Sequence, residues 1–307
     1  MISPFHGICR PPVLALLVLL GTGMARPLVG GAPVQWPPLG EVAHTEHLSG
    51  KMIWADLVTP DLAVAERFYG GMFGWKFETI QPGAKNYVLA SMEGRQIGCL
   101  LQRPMAAGEQ HQSAWLAFFS VQDVDAARSN AIKNGAKALW GPVTFPGHGR
   151  QAVLADPEGA VFGMLASSTG DPSDSLAAPG EWIWSSLLAQ DPAQDAAFYQ
   201  KLFDYDVFPL PSESTAEHLI LASDDSARAS VNAMPGGSLP RHPHWLNFIR
   251  VTDTMAATAK AVAMGGRVLV QPHVDRHGGR TAVIADPAGA PIGLMEWTDN
   301  ATQVEQK

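Results

Sequence analysis

The sequence predicts an α+β protein made of two tandem copies of one unit, each copy consisting of two βαβββ modules that form a cup-shaped sheet. Three observations carry that expectation. The chain superimposes on itself when shifted by 130 residues. Within a copy, a strand-like apolar run is followed by one amphipathic helical segment and three more short runs, and this order occurs twice. Gly, Pro, Asn and Asp separate the runs at turn spacing.

The self-match is specific. Trp54 falls on Trp184, Phe68-Tyr69 on Phe198-Tyr199, and Phe73 on Phe203. Trp115-Leu116 meets Trp245-Leu246, Gly149-Arg150 meets Gly279-Arg280, and Ala155-Asp156-Pro157 meets Ala285-Asp286-Pro287. One shift serves from end to end, so no net insertion separates the copies. The implied organisation is an N-terminal segment 1–25, a Pro/Gly-rich linker 26–49, a first domain 50–168, a linker 169–179, a second domain 180–298 and a tail 299–307.

The elements of the first copy follow in order. Lys51–Val58 is apolar and stops at Thr59-Pro60, which reads as a strand. After Asp61, the residues Leu62, Ala65, Phe68, Tyr69, Met72 and Phe73 share one helical face, capped by Thr59 or Asp61 and ended by Gly74. Strands are expected at Trp75–Ile80, Asn86–Met92 and Gln96–Leu101. The pattern restarts with a strand at Trp115–Val121. A helix then opens at Asp123 and Asp125, with Val124, Ala127, Ala131 and Ile132 on its apolar face. Strands at Ala138–Val143, Gln151–Ala155 and Val161–Leu165 complete the copy, the last two joined by the Asp156-Pro157-Glu158-Gly159 turn. In the second copy Asp191-Pro192 is a strong helix start.

Bulk composition narrows the function classes. With 307 residues, 46% hydrophobic and 16% charged, the chain is an ordinary globular one of about two domains. A net charge of −8 and no Lys/Arg run argue against nucleic acid as a partner, because phosphate binding needs a basic footprint. Met1–Ala25 has an N-terminal charge (Arg10), an apolar run Val13–Leu20 and small residues at Gly23 and Ala25. That is the pattern of a secretory signal, too short to span a bilayer, which needs roughly 20 apolar residues. A secreted or periplasmic protein without a membrane anchor is expected. Cys9 lies inside that segment, which leaves Cys99 as a small buried hydrophobe and excludes an internal disulfide or a multi-cysteine metal site.

The stretches Asp56-Leu-Val-Thr-Pro-Asp61, Phe68-Tyr69, Phe73-Gly-Trp75, Asp123-Val-Asp-Ala-Ala127, Asn134-Gly135 and Asp156-Pro-Glu-Gly-Ala160 resemble the vicinal-oxygen-chelate (glyoxalase/bleomycin-resistance/dioxygenase) superfamily. The resemblance covers both copies. It specifies fold better than activity, since this superfamily includes lyases, dioxygenases, epimerases and binding proteins that do no chemistry. It implies a divalent metal in each cup, held by His, Gln or Glu from the first and last strands of the modules.

Carried over, those ligand positions fall on Trp54, Leu116 and Gly163 in the first copy, with the fourth near Gly98. In the second copy they fall on Trp184, Leu246 and Gly293, with Asn232 near the fourth. Trp, Leu and Gly offer no donor, and the neighbours Ala55, Ala117 and Phe162 are no better; Glu296 should point to the other face of its strand. No cofactor is therefore expected, with a divalent metal on unusual ligands as the alternative. Trp54 and Trp184 fit either core filling or an aromatic wall for a ligand, with Gly163 and Gly293 leaving room opposite. Asp56 should share the face of Trp54 and would be a candidate base in an apolar cup; its counterpart is Ser186. Arg150 and Arg280 fit either a salt bridge or hydrogen bond near the turn or a carboxylate or phosphate clamp. His111, His148, His242, His244 and His277 read as loop histidines.

Three functions remain open at this point: a metal-free protein binding a small, partly apolar molecule in aromatic cups; an enzyme using Asp56 or an unusual metal site; and a scaffold whose cups are filled. Four modules in one chain allow a monomer to complete both cups, and a homodimer is equally compatible.

Overall fold

The computed structural model describes residues 36–39, 46–80, 86–103, 113–210, 218–234, 242–275 and 279–297. The segment 1–25, together with His111 and His277, lies outside the described residues.

Each copy forms one eight-stranded sheet. The first contains β1 (Met52–Thr59), α1 (Leu62–Phe73), β2 (Lys76–Thr79), β3 (Tyr87–Met92) and β4 (Arg95–Gln102). A second module adds β5 (Ala114–Ser120), α2 (Val124–Lys133), β6 (Lys137–Phe145), β7 (Gly149–Ala155) and β8 (Val161–Ser167). The strand order is β2-β3-β4-β1-β5-β8-β7-β6. The two modules join through the antiparallel pair β1–β5, while β1–β4 and β5–β8 are parallel. The second copy repeats this with β9 (Trp182–Ala189), α3 (Pro192–Phe203), β10 (Asp206–Pro209), β11 (His218–Ser223) and β12 (Ser226–Ala233), then β13 (His244–Arg250), α4 (Thr254–Ala263), β14 (Arg267–Val274), β15 (Arg280–Ala285) and β16 (Pro291–Met295). This is the tandem βαβββ architecture that the repeat and the element order imply.

Local chemistry sets the helix ends. Asp61 accepts a hydrogen bond from Val64 N, and Asp123, Asp191 and Asp253 cap the other three helices in the same way. Gly74 ends α1 at φ 79°, a left-handed conformation that costs glycine nothing. Ile132 departs from its expected place: it is 40% exposed, so the apolar face of α2 narrows to Val124 and Ala131, backed by Ala127.

The cores do not belong to single copies. Each sheet turns its helix-bearing, convex face toward the other. One core joins Phe119, Val124 and Phe162 of the first copy to Phe198, Tyr199, Phe203 and Trp245 of the second. Its mirror joins Phe68, Tyr69 and Trp75 to Ile249, Ala261, Ile284 and Ile292. Helix α1 meets α4, and α2 meets α3. The Asp-Pro turns close the seam by exchange. The Tyr199 hydroxyl donates to Asp156 Oδ2 at 3.0 Å, and the Tyr69 hydroxyl donates to Asp286 Oδ2 at 3.2 Å. Each tyrosine in turn accepts from an indole of its own copy, Trp245 Nε1 at 3.0 Å and Trp115 Nε1 at 2.8 Å. The two cups therefore open away from the seam, on opposite sides.

The linker segments are structural. Asp171 accepts from Leu48 N at 2.7 Å and from the Ser120 hydroxyl, and Asp174 pairs with Lys51 at 2.9 Å and with Arg228 at 2.7 Å. These bonds stitch residues 46–51 and 169–174 to both copies.

Candidate functional site

Strand alternation sorts the candidate residues by face. Trp54, Asp56 and Val58 of β1 line the first cup with Cys99 and Leu101 of β4, Leu116 and Phe118 of β5, and Val153 of β7. Ala55, Leu57, Leu100 and Ala117 take the opposite face.

The first cup is full. Trp54 is 2% and Phe118 1% exposed. Gly163 does not leave open room, contrary to the sequence expectation. A Cβ there would stand 2.2 Å from the Phe118 ring, which already lies over the glycine. Gly293 and Phe248 repeat this at 2.1 Å. The floor retains a hollow of about 10 Å³ bordered by Asp56, Leu116, Trp140 and Gln151, about the size of one water.

Above this floor the N-terminal linker closes the mouth. Trp36 packs edge-on to Phe145 (5.1 Å between ring centres) and Tyr87 (6.4 Å), and its backbone N–H donates to Pro146 O at 3.0 Å. Leu39 is buried in the same cluster. The linker is thus part of the first cup, where the sequence suggested only a spacer. Outside this strap, an open hollow of about 470 Å³ runs along Trp36, Pro38, Thr79, Ile80 and Leu89.

His148 is no ordinary loop histidine. It is fully buried between Trp36 (5.5 Å) and Trp54 (4.6 Å), with Nδ1 3.4 Å from the Pro37 carbonyl and Nε2 without a partner among the described residues. Burial lowers its pKa to about 4, so the ring is neutral near pH 7. Asp56 shares the Trp54 face: Trp54 Nε1 donates to Asp56 Oδ1 at 2.8 Å. Burial raises the Asp56 pKa to about 7, opposed in part by that hydrogen bond. The Cys99 thiol, beside Asp56 on β4, is pushed up by burial and by the carboxylate.

The second cup has the same frame and different contents. Val270 and Asp275 occupy the repeat positions of Trp140 and Phe145. Trp184 is only half-buried, and with Leu246, Phe248 and Met295 it makes a smaller apolar cluster. The floor is polar. Trp184 Nε1 donates to Ser230 Oγ at 3.0 Å, Ser230 Oγ donates to Ser186 Oγ at 3.2 Å, and Asn232 Nδ2 reaches Ser186 Oγ at 2.6 Å and Ser230 Oγ at 3.1 Å.

Ser230 was missed in sequence because the repeat slips locally. Asp56 pairs with Cys99, but Ser186 pairs with Ser230, so this strand is offset by one residue between copies. Asn232 therefore corresponds to Leu101, not to Gly98. Gly98 lies on the convex face, where a Cβ would collide with Ala55 O at 2.3 Å. The whole hairpin is offset: Glu93-Gly94 and Asp224-Asp225 make the same turn with positive φ at both residues, and the extra residue falls between β10 and β11, where eight residues replace the seven between β2 and β3.

The arginines stand outside both cups. The Arg150 fork binds both Asp125 carboxylate oxygens at 2.6 and 3.0 Å, plus Thr144 Oγ1 at 3.0 Å. Arg280 is exposed on the face of Ala282 and Ile284, the helix side. Glu296 also lies there, accepting from Thr254 N at 2.7 Å at the start of α4. His242 is exposed before β13 and His244 opens that strand, its Nδ1 2.9 Å from His242 O. The positions expected to hold a metal, Trp54, Leu116, Gly163 and their repeats, carry no donor atoms, and among the described residues no three His, Cys, Asp or Glu side chains gather as ligands. A divalent metal does not fit this donor set.

Comparison with known proteins agrees with the fold. The Glyoxalase/Bleomycin resistance protein/Dioxygenase superfamily model matches residues 43–164, and a glyoxalase-like domain model matches 185–295. The chain belongs to this superfamily as a two-domain member. It is 27% identical over 254 residues to CFP32 of Mycobacterium tuberculosis, a provisionally named glyoxylase, covering 82% of this chain and 97% of that one. It is 29% identical over 264 residues to the anthracycline biosynthesis protein DauV of a Streptomyces species, covering 82% and 95%. Among solved structures, the Mn(II)-bound glyoxalase of Novosphingobium aromaticivorans aligns with TM-score 0.57 at 14% identity, covering 81% of this chain and 83% of that chain. Homoprotocatechuate 2,3-dioxygenase of Brevibacterium fuscum aligns with TM-score 0.59 at 15% identity, covering 87% and 74%. At these identities the structures share the fold alone.

Proposed function

We propose that this protein is an exported binding protein whose second cup holds a small, partly apolar molecule without a metal. The observation that carries the reading is the half-buried Trp184 beside a hydrogen-bonding floor of Ser186, Ser230 and Asn232. An aromatic wall with a few convergent polar groups is the usual composition of a small-molecule site. The first cup has the same frame but is occupied by its own side chains under Trp36, which makes it a closed support for the second. The relatives' names, a glyoxylase and an anthracycline biosynthesis protein, suit a small organic ligand. Export rests on the Met1–Ala25 pattern.

A second reading, an enzyme using Asp56 as a base, is favoured by the carboxyl's pKa of about 7. It requires the Trp36–Leu39 strap to leave the first cup. Native mass spectrometry of the exported protein, purified without tag or chelator, tests the first reading. A chain starting at Arg26, bare or carrying an organic adduct, is expected. One or two bound divalent ions, or an intact Met1, would overturn the metal-free or the exported part respectively.

A further inference from the structure

The floor of the second cup has one proton too many. Trp184 contributes one N–H, Asn232 two, and the hydroxyls of Ser186 and Ser230 one each, which makes five donor protons. Four hydrogen bonds join these groups. Ser230 Oγ accepts from Trp184 and Asn232 and gives its proton to Ser186. Ser186 Oγ accepts from Ser230 and Asn232. The Ser186 O–H is left over, and no acceptor among the described residues takes it. Ser186 is 5% exposed, and Leu246 faces it from β13. A donor in such a place requires an acceptor, because an unmade bond at a buried group costs more than a made one returns.

The charge of that acceptor is also constrained. The apolar side chains around the floor (Ile183, Trp184, Leu246, Phe248, Val283 and Met295) carry no charge, and two histidines border that face, His218 across from Asn232 and His273 across from Thr281. A carboxylate or phosphate lodged at Ser186 would lose hydration with no lysine or arginine in that apolar cluster to replace it. The first cup cannot act alike, since Asp56 replaces Ser186, Leu101 replaces Asn232 and Cys99 replaces Ser230.

We infer that the second cup selects neutral, planar carbonyl compounds, with the carbonyl oxygen accepting the Ser186 hydroxyl proton and the ring lying against Trp184. This deepens the binding role proposed above and rests on it.

The test uses three bicyclic probes of one size: 1-indanone, indane and indane-1-carboxylate. The full mature chain is titrated while the Trp184 indole N–H resonance is followed, assigned by its loss in Trp184→Phe. Indanone and indane are expected to shift that resonance, and the carboxylate to bind at least ten-fold more weakly than indanone. Ser186→Ala is expected to weaken indanone about five-fold and leave indane unchanged. Asn232→Leu, which installs the residue of the first cup, gives an independent variant if Ser186→Ala folds poorly. It is expected to weaken indanone in the same sense, because the Ser230 Oγ lone pair freed by the loss of Asn232 can then accept the Ser186 proton. If indanone and indane lose affinity equally in the variants, or the carboxylate binds as well as indanone, the carbonyl inference fails and the binding cup survives. If no probe moves the Trp184 resonance, the cup reading fails, and the inference with it.

Discussion

Replacing Asp56 by Asn isolates the energetic cost of a carboxyl sealed in the first cup. The side chain is 7% exposed and has one strong partner, Trp54 Nε1. Its pKa rises from 3.8 to about 7 because burial opposes ionisation. The unfolded chain ionises first as pH rises, so Asp56 takes nothing from stability below pH 3.8. Its penalty then grows with pH and levels off above about 7. At about 1.4 kcal/mol per pH unit, the full penalty is about 4 kcal/mol, of which about 2 to 3 kcal/mol builds up between pH 5 and pH 8. Asn keeps an acceptor for the indole and never ionises. Urea denaturation of wild type and Asp56→Asn at pH 5 and pH 8 should therefore show the variant gaining on the wild type by about 2 to 3 kcal/mol between the two pH values. Asp156 and Asp195 are likewise raised, to about 6 and about 8, and bend the wild-type curve in the same direction. The difference between the two proteins cancels them. An offset that is the same at both pH values would refute the reasoning, and would mean that Asp56 is charged and hydrated at neutral pH.

Other expectations follow from the packing. Tyr199→Phe removes the donor to Asp156 and the acceptor of Trp245 Nε1, and should cost about 1 to 3 kcal/mol; Tyr69→Phe should do the same at the mirror seam, and both copies should still melt in one calorimetric transition. Gly163→Ala should cost about 1 to 3 kcal/mol by pushing the Phe118 ring aside, read as a lower urea midpoint. Trp36→Ala should open the first cup and let the His148 pKa climb from about 4 toward 6.5, visible in its imidazole NMR titration; His148 stays neutral and costs nothing above pH 6.5, and wild-type stability falls as pH drops from 6.5 toward 4. A His148 pKa unmoved by the loss of Trp36 would show that the strap does not seal the cup.

The sequence by itself determined the duplication, the order βαβββ within each module, the helix starts after Thr59-Pro60-Asp61 and at Asp191-Pro192, and the shared face of Trp54 and Asp56; the structure chose Asp61 over Thr59 as the cap. It also put Trp54, Leu116, Gly163 and their repeats, which offer no metal donor, at the positions where the resemblance implies metal ligands. These features are legible because they are local: helix and strand periods are set by which side of an element is buried, and caps by orphan N–H groups within one turn. What the tertiary structure decided concerns partners far apart along the chain. Tyr69 and Tyr199 look like ordinary helix core in the sequence, yet each reaches an aspartate of the other copy. Arg150 turns to Asp125 instead of the cup, because α2 brings that carboxylate alongside the convex face. Trp36 and His148 close the first cup through contacts more than 100 residues apart. The one-residue offset of β11 and β12 brings Ser230 and Asn232 together with Ser186, a register that follows from the longer connection before β11 and that a single shift of the sequence does not resolve. Packing complementarity is a property of the assembled surfaces, and the same residues in the same local elements admit more than one such assembly until the whole chain has closed.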